Sequence, residues 1–243
     1  MGRCAYGTRQ MTPSDDEAKA DDEAKANDEV KAGQAIYAPW SLGVYDVAVH
    51  AISNHWLWRC PTHQLQRLYD RNVSPCHLDI GVGTGYFLAH AHWPVAAPEI
   101  TLVDLNPHCL RRAARRITRF EPRTVRANVL ERFPDDTGGP FHSAGLLYLL
   151  HCLPGSMLQK AVVFDHLLVH MAQGARVFGA TIVQGDAPRS AAARRLMAIY
   201  NRKGIFCNER DTMGDLESAL RQRFDAVETR LIGCVALFEA RVR

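Results

Sequence analysis

The sequence predicts an α/β chain built on a doubly wound, mostly parallel sheet of seven strands. Three observations predict it. From His77 onward, short apolar runs alternate with helical patterns, as parallel βαβ units require. The run His77-Leu78-Asp79-Ile80 enters a turn with glycine at 81, 83 and 85 and leaves it as a helix. The last two apolar runs, 227–232 and 234–240, meet at Gly233 with no helix between them, so the closing strand is antiparallel.

In chain order the strands are expected at 77–80, 100–103, 124–127, 144–149, 175–183, 227–232 and 234–240. Helices are expected at 86–92, 107–119, 158–171, 187–202 and 216–223. Gly155-Ser156 starts the third of these helices and Gln173-Gly174 follows it; Lys203-Gly204 stops the fourth. Ahead of the sheet, residues 34–75 hold Tyr37, Trp40, Tyr45, Trp56, Trp58 and Tyr69. They read as two or three short helices, with Pro39 and Pro61 as starts, folded over the sheet as a lid.

The 243 residues are 47% hydrophobic and 23% charged, which fits one large folded domain. No apolar stretch reaches the roughly 18 residues of a spanning helix, and no apolar segment follows Met1, so no membrane partner and no secretory signal are expected. Seven cysteines without a CxxC pair suit a reducing compartment, hence the cytoplasm. Residues 15–32 repeat DDEAKA, DDEAKA, NDEVKA and carry a net −5, against +3 for the whole chain. With almost no apolar face, this segment reads as a flexible acidic tail over 1–33. The organisation expected is tail (1–33), lid (34–75) and cofactor domain (76–243).

Glycines at 81, 83 and 85 let a ligand lie close to the backbone. Asp104 ends the next strand, where an acid accepts hydrogen bonds from the ribose hydroxyls of an adenosine. The spacing is GxGxG, with the bulky Tyr86 in place of the third dinucleotide-motif glycine, and Asp79 stands two residues before Gly81. A carboxylate there repels a diphosphate and suits an ammonium group. The ligand predicted therefore has adenosine at one end and an amine at the other.

In HLDIGVGTGY (77–86), ITLVDLNP (100–107), YLLHCLPG (148–155), WRCPT (58–62) and YNRKGIF (200–206) the chain resembles class I S-adenosylmethionine-dependent methyltransferases, notably small-molecule enzymes of secondary metabolism. The resemblance implies a Rossmann-like fold, S-adenosyl-L-methionine as cofactor and a small-molecule methyl acceptor. It implies that Asp79, Gly81 and Gly83 hold the methionine end, that Gly85 is also cofactor-binding and that Asp104 binds the ribose. Leu105 would lie against the adenine, Asn128 and Val129 at its edge, and Tyr148 and His151 on the methyl-transfer side. Asn128 stands where many members have Asp, and Phe141-His142-Ser143 where they read FDS. His151 is the candidate base, expected to be poised near neutral pH. Tyr37, Trp40 and Tyr45 are the candidate acceptor-binding aromatics. Two alternatives use the same residues: a nicotinamide-linked oxidoreductase, and a non-methylating cofactor-binding protein.

Two further patterns read as structural. His166 and His170 have zinc-ligand spacing without a third ligand, so no metal is expected. The arginines of 111–119 read as a solvated helix face, and no nucleic-acid partner is expected.

Overall fold

The computed structural model describes residues 57–185 and 187–243. The acidic repeat and the aromatics Tyr37, Trp40, Tyr45 and Trp56 lie outside the described residues. The elements are α1 (Thr62–Asn72), β1 (Cys76–Ile80), α2 (Tyr86–His90), β2 (Glu99–Asp104), α3 (Pro107–Arg116), β3 (Arg123–Arg126), β4 (Phe141–Leu147), α4 (Met157–Lys160), α5 (Val162–Leu168), β5 (Met171–Ile182), α6 (Ala191–Arg202), α7 (Met213–Arg221), β6 (Phe224–Ile232) and β7 (Val235–Val242).

The strands form one sheet in the order β3-β2-β1-β4-β5-β7-β6. The first five strands pair in parallel, and β7 runs antiparallel to both β5 and β6. The expected hairpin at Gly233 is present. Strand order reverses between β1 and β4, the place where doubly wound sheets bind ligands at their carboxyl ends.

Side chains alternate across each strand, so the sheet has two apolar faces. Leu78 and Ile80 of β1 join Phe164 of α5, Leu216 of α7 and Phe238 on one face. Leu65 and Leu68 of α1 join Leu88, Leu110, Ala113, Phe178 and Met197 on the other. The helix α1 thus packs on the sheet face: Leu65, Leu68, Tyr69 and Asn72, at helical spacing, form its buried stripe.

Several boundaries differ from the sequence expectation for local reasons. The helix expected at 158–171 is two helices followed by a strand. Ser156 caps α4 with a capping box completed by Gln159. The chain pivots at Ala161, and Met171 already pairs with Phe141. Gly174, at φ 71°, sits where the register shifts before the main run of β5. The strand expected at 144–149 stops at Leu147, because Tyr148 turns to φ 60° and residues Leu150–Cys152 form a 3-10 turn. The helix expected from 187 starts at Ala191, where the Ser190 hydroxyl accepts from the Ala193 amide at 3.1 Å.

Candidate cofactor and methyl-transfer site

Three strand ends build the rim. After Ile80 the chain takes positive φ at Gly81 (71°), Gly83 (51°) and Gly85 (72°). These glycines serve different ends. A Cβ on Gly81 would lie 2.8 Å from Leu149 Cδ1, and one on Gly85 would lie 2.8 Å from Ala113 Cα. Both are protein-filled. A Cβ on Gly83 would meet nothing within 4 Å, so the open face of the turn lies over Gly83.

Asp104, at the end of β2, lies across the turn. Its Oδ1 accepts from the Asn106 amide at 2.8 Å, and the Gly83 and Val82 amides also face its carboxylate. Burial nevertheless pushes its pKa up to about 6, outweighing these amides, and the nearby Asp79 charge adds to the rise. Leu105 follows, half-buried, with its carbonyl accepting from Arg126 Nε at 3.2 Å.

Asp79 is buried on β1, in register with Gly145 of β4. A Cβ on Gly145 would come within 3.2 Å of Asp79 Oδ2, so this glycine leaves room for the carboxylate. The Tyr69 hydroxyl, from α1, donates to the same Oδ2. Sequence reasoning placed Tyr69 among the lid aromatics and missed this contact. A signal was available, because a tyrosine on a buried helical stripe needs a partner for its hydroxyl.

Asn128 follows β3 and makes local hydrogen bonds. Its Oδ1 accepts from the Leu130 amide at 3.2 Å and its Nδ2 donates to Glu131 at 2.8 Å. The side chain organises its own turn after β3. Val129 is buried in the core, and its carbonyl pairs with His166 Nδ1 at 3.2 Å.

Tyr148 and His151 do lie together after β4, with rings 5.7 Å apart and edge-on. The left-handed backbone of Tyr148 is strained for a non-glycine residue, as is common at functional sites. His151 is buried, and its ring meets Phe206 edge-on at 4.6 Å. The Ile182 amide donates to His151 Nδ1 at 3.3 Å. Its pKa is lowered to about 3, first by burial and then by the Lys160 charge, and is not poised near neutrality as expected. The ring is therefore neutral. With Nδ1 accepting the amide, the proton sits on Nε2.

The other patterns resolve plainly. His166 and His170 flank Phe133 and each pairs with a backbone carbonyl. Among the described residues no cluster of His, Cys, Asp or Glu could hold a metal. Arg111, Arg115 and Arg119 are exposed on and just after α3. His142 is exposed at the start of β4, at the opposite end of the strand from Tyr148, so the altered segment does not touch the rim. No described helix is long and apolar enough to cross a membrane.

A family model described as a methyltransferase domain matches residues 54–223. Demethylluteothin O-methyltransferase of Streptomyces thioluteus is 41% identical over 207 residues, covering 85% of this chain and 90% of that protein. The Physcion biosynthesis cluster O-methyltransferase of Aspergillus chevalieri is 38% identical over 209 residues, covering 85% and 93%. The fold is shared with N-methyltransferase NodS from Bradyrhizobium japonicum, solved with S-adenosyl-l-homocysteine, at TM-score 0.53 and 19% identity over 74% of this chain and 84% of that one. Neither alternative raised by the sequence, oxidoreductase or non-methylating binder, is favoured by these matches. Identity at this level over most of this chain and nearly all of each relative fixes the lineage: the chain belongs to the class I S-adenosylmethionine-dependent methyltransferases of small molecules.

Proposed function

We propose that this enzyme methylates an oxygen atom of a small molecule whose hydroxyl is acidic, an enol or a phenol. Support for oxygen comes from the two relatives named O-methyltransferases at 41% and 38% identity. Support for an acidic hydroxyl comes from His151. Its one basic lone pair, on Nδ1, already takes the Ile182 amide, so it suits a hydrogen-bond donor better than a base. An acceptor that ionises on its own needs no base.

The residues fit the cofactor. The open face over Gly83 leaves backbone accessible to a ligand; Asp104 accepts from the amide of that turn, and Asp79 precedes the turn on β1. In this reading Asp79 accepts from the cofactor's amine, and Gly81, Gly83 and Gly85 bring the backbone close. Asp104 takes the ribose hydroxyls and Leu105 packs on the base, with Asn128 and Val129 shaping the turn beside it. S-adenosylmethionine supplies an electrophilic methyl group on a sulfonium. The chain's own part is to orient the acceptor and exclude water, with Tyr148 and His151 as the wall on that side and Tyr37, Trp40 and Tyr45 as acceptor-binding aromatics. The soluble cytoplasm is the proposed compartment.

The observation that carries this reading is the open turn at Gly83, its amide on Asp104 and Asp79 just before it on β1. The test is calorimetric titration with S-adenosylhomocysteine, followed by labelled methyl transfer to phenols, enols, amines and thiols. Binding lost in Asp79→Ala with the fold retained, and transfer confined to acidic hydroxyls, support it. Unchanged binding heats in Asp79→Ala, or transfer to amines alone, refute it.

A further inference from the structure

At the amino end of β4, away from the rim, β5 departs from its neighbour. Phe141 pairs with Met171 and Ser143 with Arg176, so His142 alone stands opposite residues 172–175. This is a long bulge in β5, and bulges re-aim the side chains beside them. The bulge and residues 73–75, between α1 and β1, bound an open cleft of about 440 Å³ whose lining includes Ser74, His142, Arg176 and Arg241. Gly174, in the bulge, has φ 71°, and a Cβ placed on it would meet nothing within 4 Å. Its backbone therefore borders open space.

The cleft has an unbalanced charge. Arg176 and Arg241 are register partners on the antiparallel pair β5–β7, so their side chains leave the same face side by side. Like charges placed directly opposite one another are unfavourable. Each gives one nitrogen to a neutral carbonyl. Arg176 Nη1 donates to the Arg71 carbonyl, in the last turn of α1, at 3.0 Å, and Arg241 Nη1 donates to the Gly174 carbonyl at 3.2 Å. Among the described residues neither forms an ion pair with a carboxylate, and no acid is among those that line the cleft. The acids beside Arg241 on the sheet are engaged elsewhere. Glu239, two positions before it, holds Arg71 and Asn72; Asp225, its register partner on β6, holds Arg243 at 3.2 Å.

We propose that this cleft is a second ligand site, separate from the cofactor rim, that binds the phosphate group of a small molecule. A guanidinium carries five N–H donors in a planar fork. Each of the two has given one nitrogen to a carbonyl, and the donors left on adjacent forks match an oxyanion held at two points. Two positive charges without a carboxylate partner match a dianion better than a single carboxylate. His142 adds a ring N–H in either protonation state. The volume lies within the roughly 300–1,000 Å³ of small-molecule sites, enough for a phosphate and the molecule that bears it. The ligand relieves the repulsion that Arg176 and Arg241 bear without it.

Distance separates this site from methyl transfer. β4 runs from Phe141, next to His142 of the cleft, to Leu147, just before Tyr148. At about 3.3 Å per residue its two ends lie roughly 20 Å apart. A nucleoside ligand at the rim therefore leaves the cleft free. The two arginines are not equivalent. Arg176 also serves the carboxyl end of α1, where a cation is favourable. Arg241 holds only the bulge carbonyl of Gly174, and a glutamine in its place keeps an N–H donor while removing the charge.

The experiment is amide NMR of the full chain titrated with inorganic phosphate near pH 7.5, with chloride and acetate at matched ionic strength for comparison. Saturable shifts at residues 172–176 and 241 are expected with phosphate, weaker ones with acetate and none with chloride. Saturating S-adenosylhomocysteine should leave them unchanged. Arg241→Gln should weaken phosphate binding at least about tenfold, the loss of a charged hydrogen-bond partner. Arg115→Gln, which removes an exposed charge from α3, should not weaken it. Shifts that never saturate or that centre on α3, acetate bound as tightly as phosphate, displacement by S-adenosylhomocysteine, or wild-type phosphate affinity in a folded Arg241→Gln overturns the proposal. If Arg241→Gln does not fold, His142→Ala decides: weakened phosphate binding supports the site, and unchanged binding overturns it.

Discussion

Adding one methyl group to the glycine turn separates its structural from its ligand-facing positions. At Gly83→Ala the new methyl meets nothing, so its cost is the left-handed backbone at φ 51°, roughly 1–2 kcal/mol. A less flexible unfolded chain returns about 0.4–1 kcal/mol of this. At Gly85→Ala the same backbone cost applies, and the methyl also lands 2.8 Å from the Ala113 Cα. That atom belongs to the middle of α3 and cannot step aside, which adds about 1–3 kcal/mol of overpacking. For a domain of this size each kcal/mol moves Tm by about 2–4 °C. The expected ranking is a drop of a few degrees for Gly83→Ala and a clearly larger one for Gly85→Ala. Ligand binding should rank the other way per unit of stability lost. Alanine at 83 occupies the face where the cofactor would lie and should cost at least tenfold in affinity for S-adenosylhomocysteine. Thermal melts and calorimetry on the same preparations measure both. Gly83→Ala that binds within twofold of wild type, or melts as low as Gly85→Ala, would refute the assignment of the open face.

Other outcomes follow from the charges and from His151. Asp104 has its pKa raised by burial to about 6, above the roughly 3.9 of an unfolded chain. Between those values the folded state binds more protons, so stability should fall as pH rises from 4 to 6; Asp104→Asn should flatten that slope in urea titrations. Ligand affinity should move oppositely, weakening below pH 6 as the ribose acceptor is protonated. His151→Gln should keep methyl transfer within about tenfold of wild type; a loss of 10²–10⁴ would restore it as a general base. Lys160 and Asp211 form a fully buried pair at 2.6 Å, with Lys160 also donating to the Cys207 carbonyl at 2.7 Å. Burial raises the Asp211 pKa even with Lys160 opposing it. Lys160→Met should therefore cost about 3–5 kcal/mol in urea unfolding, and Lys160→Met with Asp211→Leu should cost less than the single change.

What the sequence disclosed was what local spacing encodes. The glycine turn, the acid at 79, the acid at 104 and the closing hairpin each lie within a few residues of their cause. The start of β5 was hidden because residues 158–171 continue a helical pattern. Only the pairing of Met171 with Phe141, thirty positions back, makes it a strand. The partner of Asp79 was hidden for the same reason, since Tyr69 reaches it through the packing of α1 on the sheet. The local bonds of Asn128 were not legible either: an Asn after a strand caps its own turn as readily as it faces a ligand. The neutral state of His151 depends first on its burial and then on the Lys160 charge, neither readable from its neighbours in sequence.

Asp79, next to last on β1, and Asp104, last on β2, lie on neighbouring parallel strands, and the Asp79 charge adds to the cost of ionising Asp104. The protein supports the two carboxylates differently. Around Asp104 it turns the amides of Val82, Gly83 and Asn106 inward, donors fixed by the same backbone that makes the glycine turn. These amides offset burial only in part, so Asp104 stays easier to protonate than a free carboxylate. Asp79 has instead a phenol on its Oδ2 and a histidine behind it. A ligand with hydroxyls at one end and an ammonium at the other completes both acids at once. The stabilisation it brings should therefore exceed what Asp79→Asn and Asp104→Asn lose separately, a coupling that a double-mutant cycle on ligand-induced Tm shift would reveal. Strict additivity would mean that the two carboxylates bind no common ligand, and the cofactor reading would fail with it.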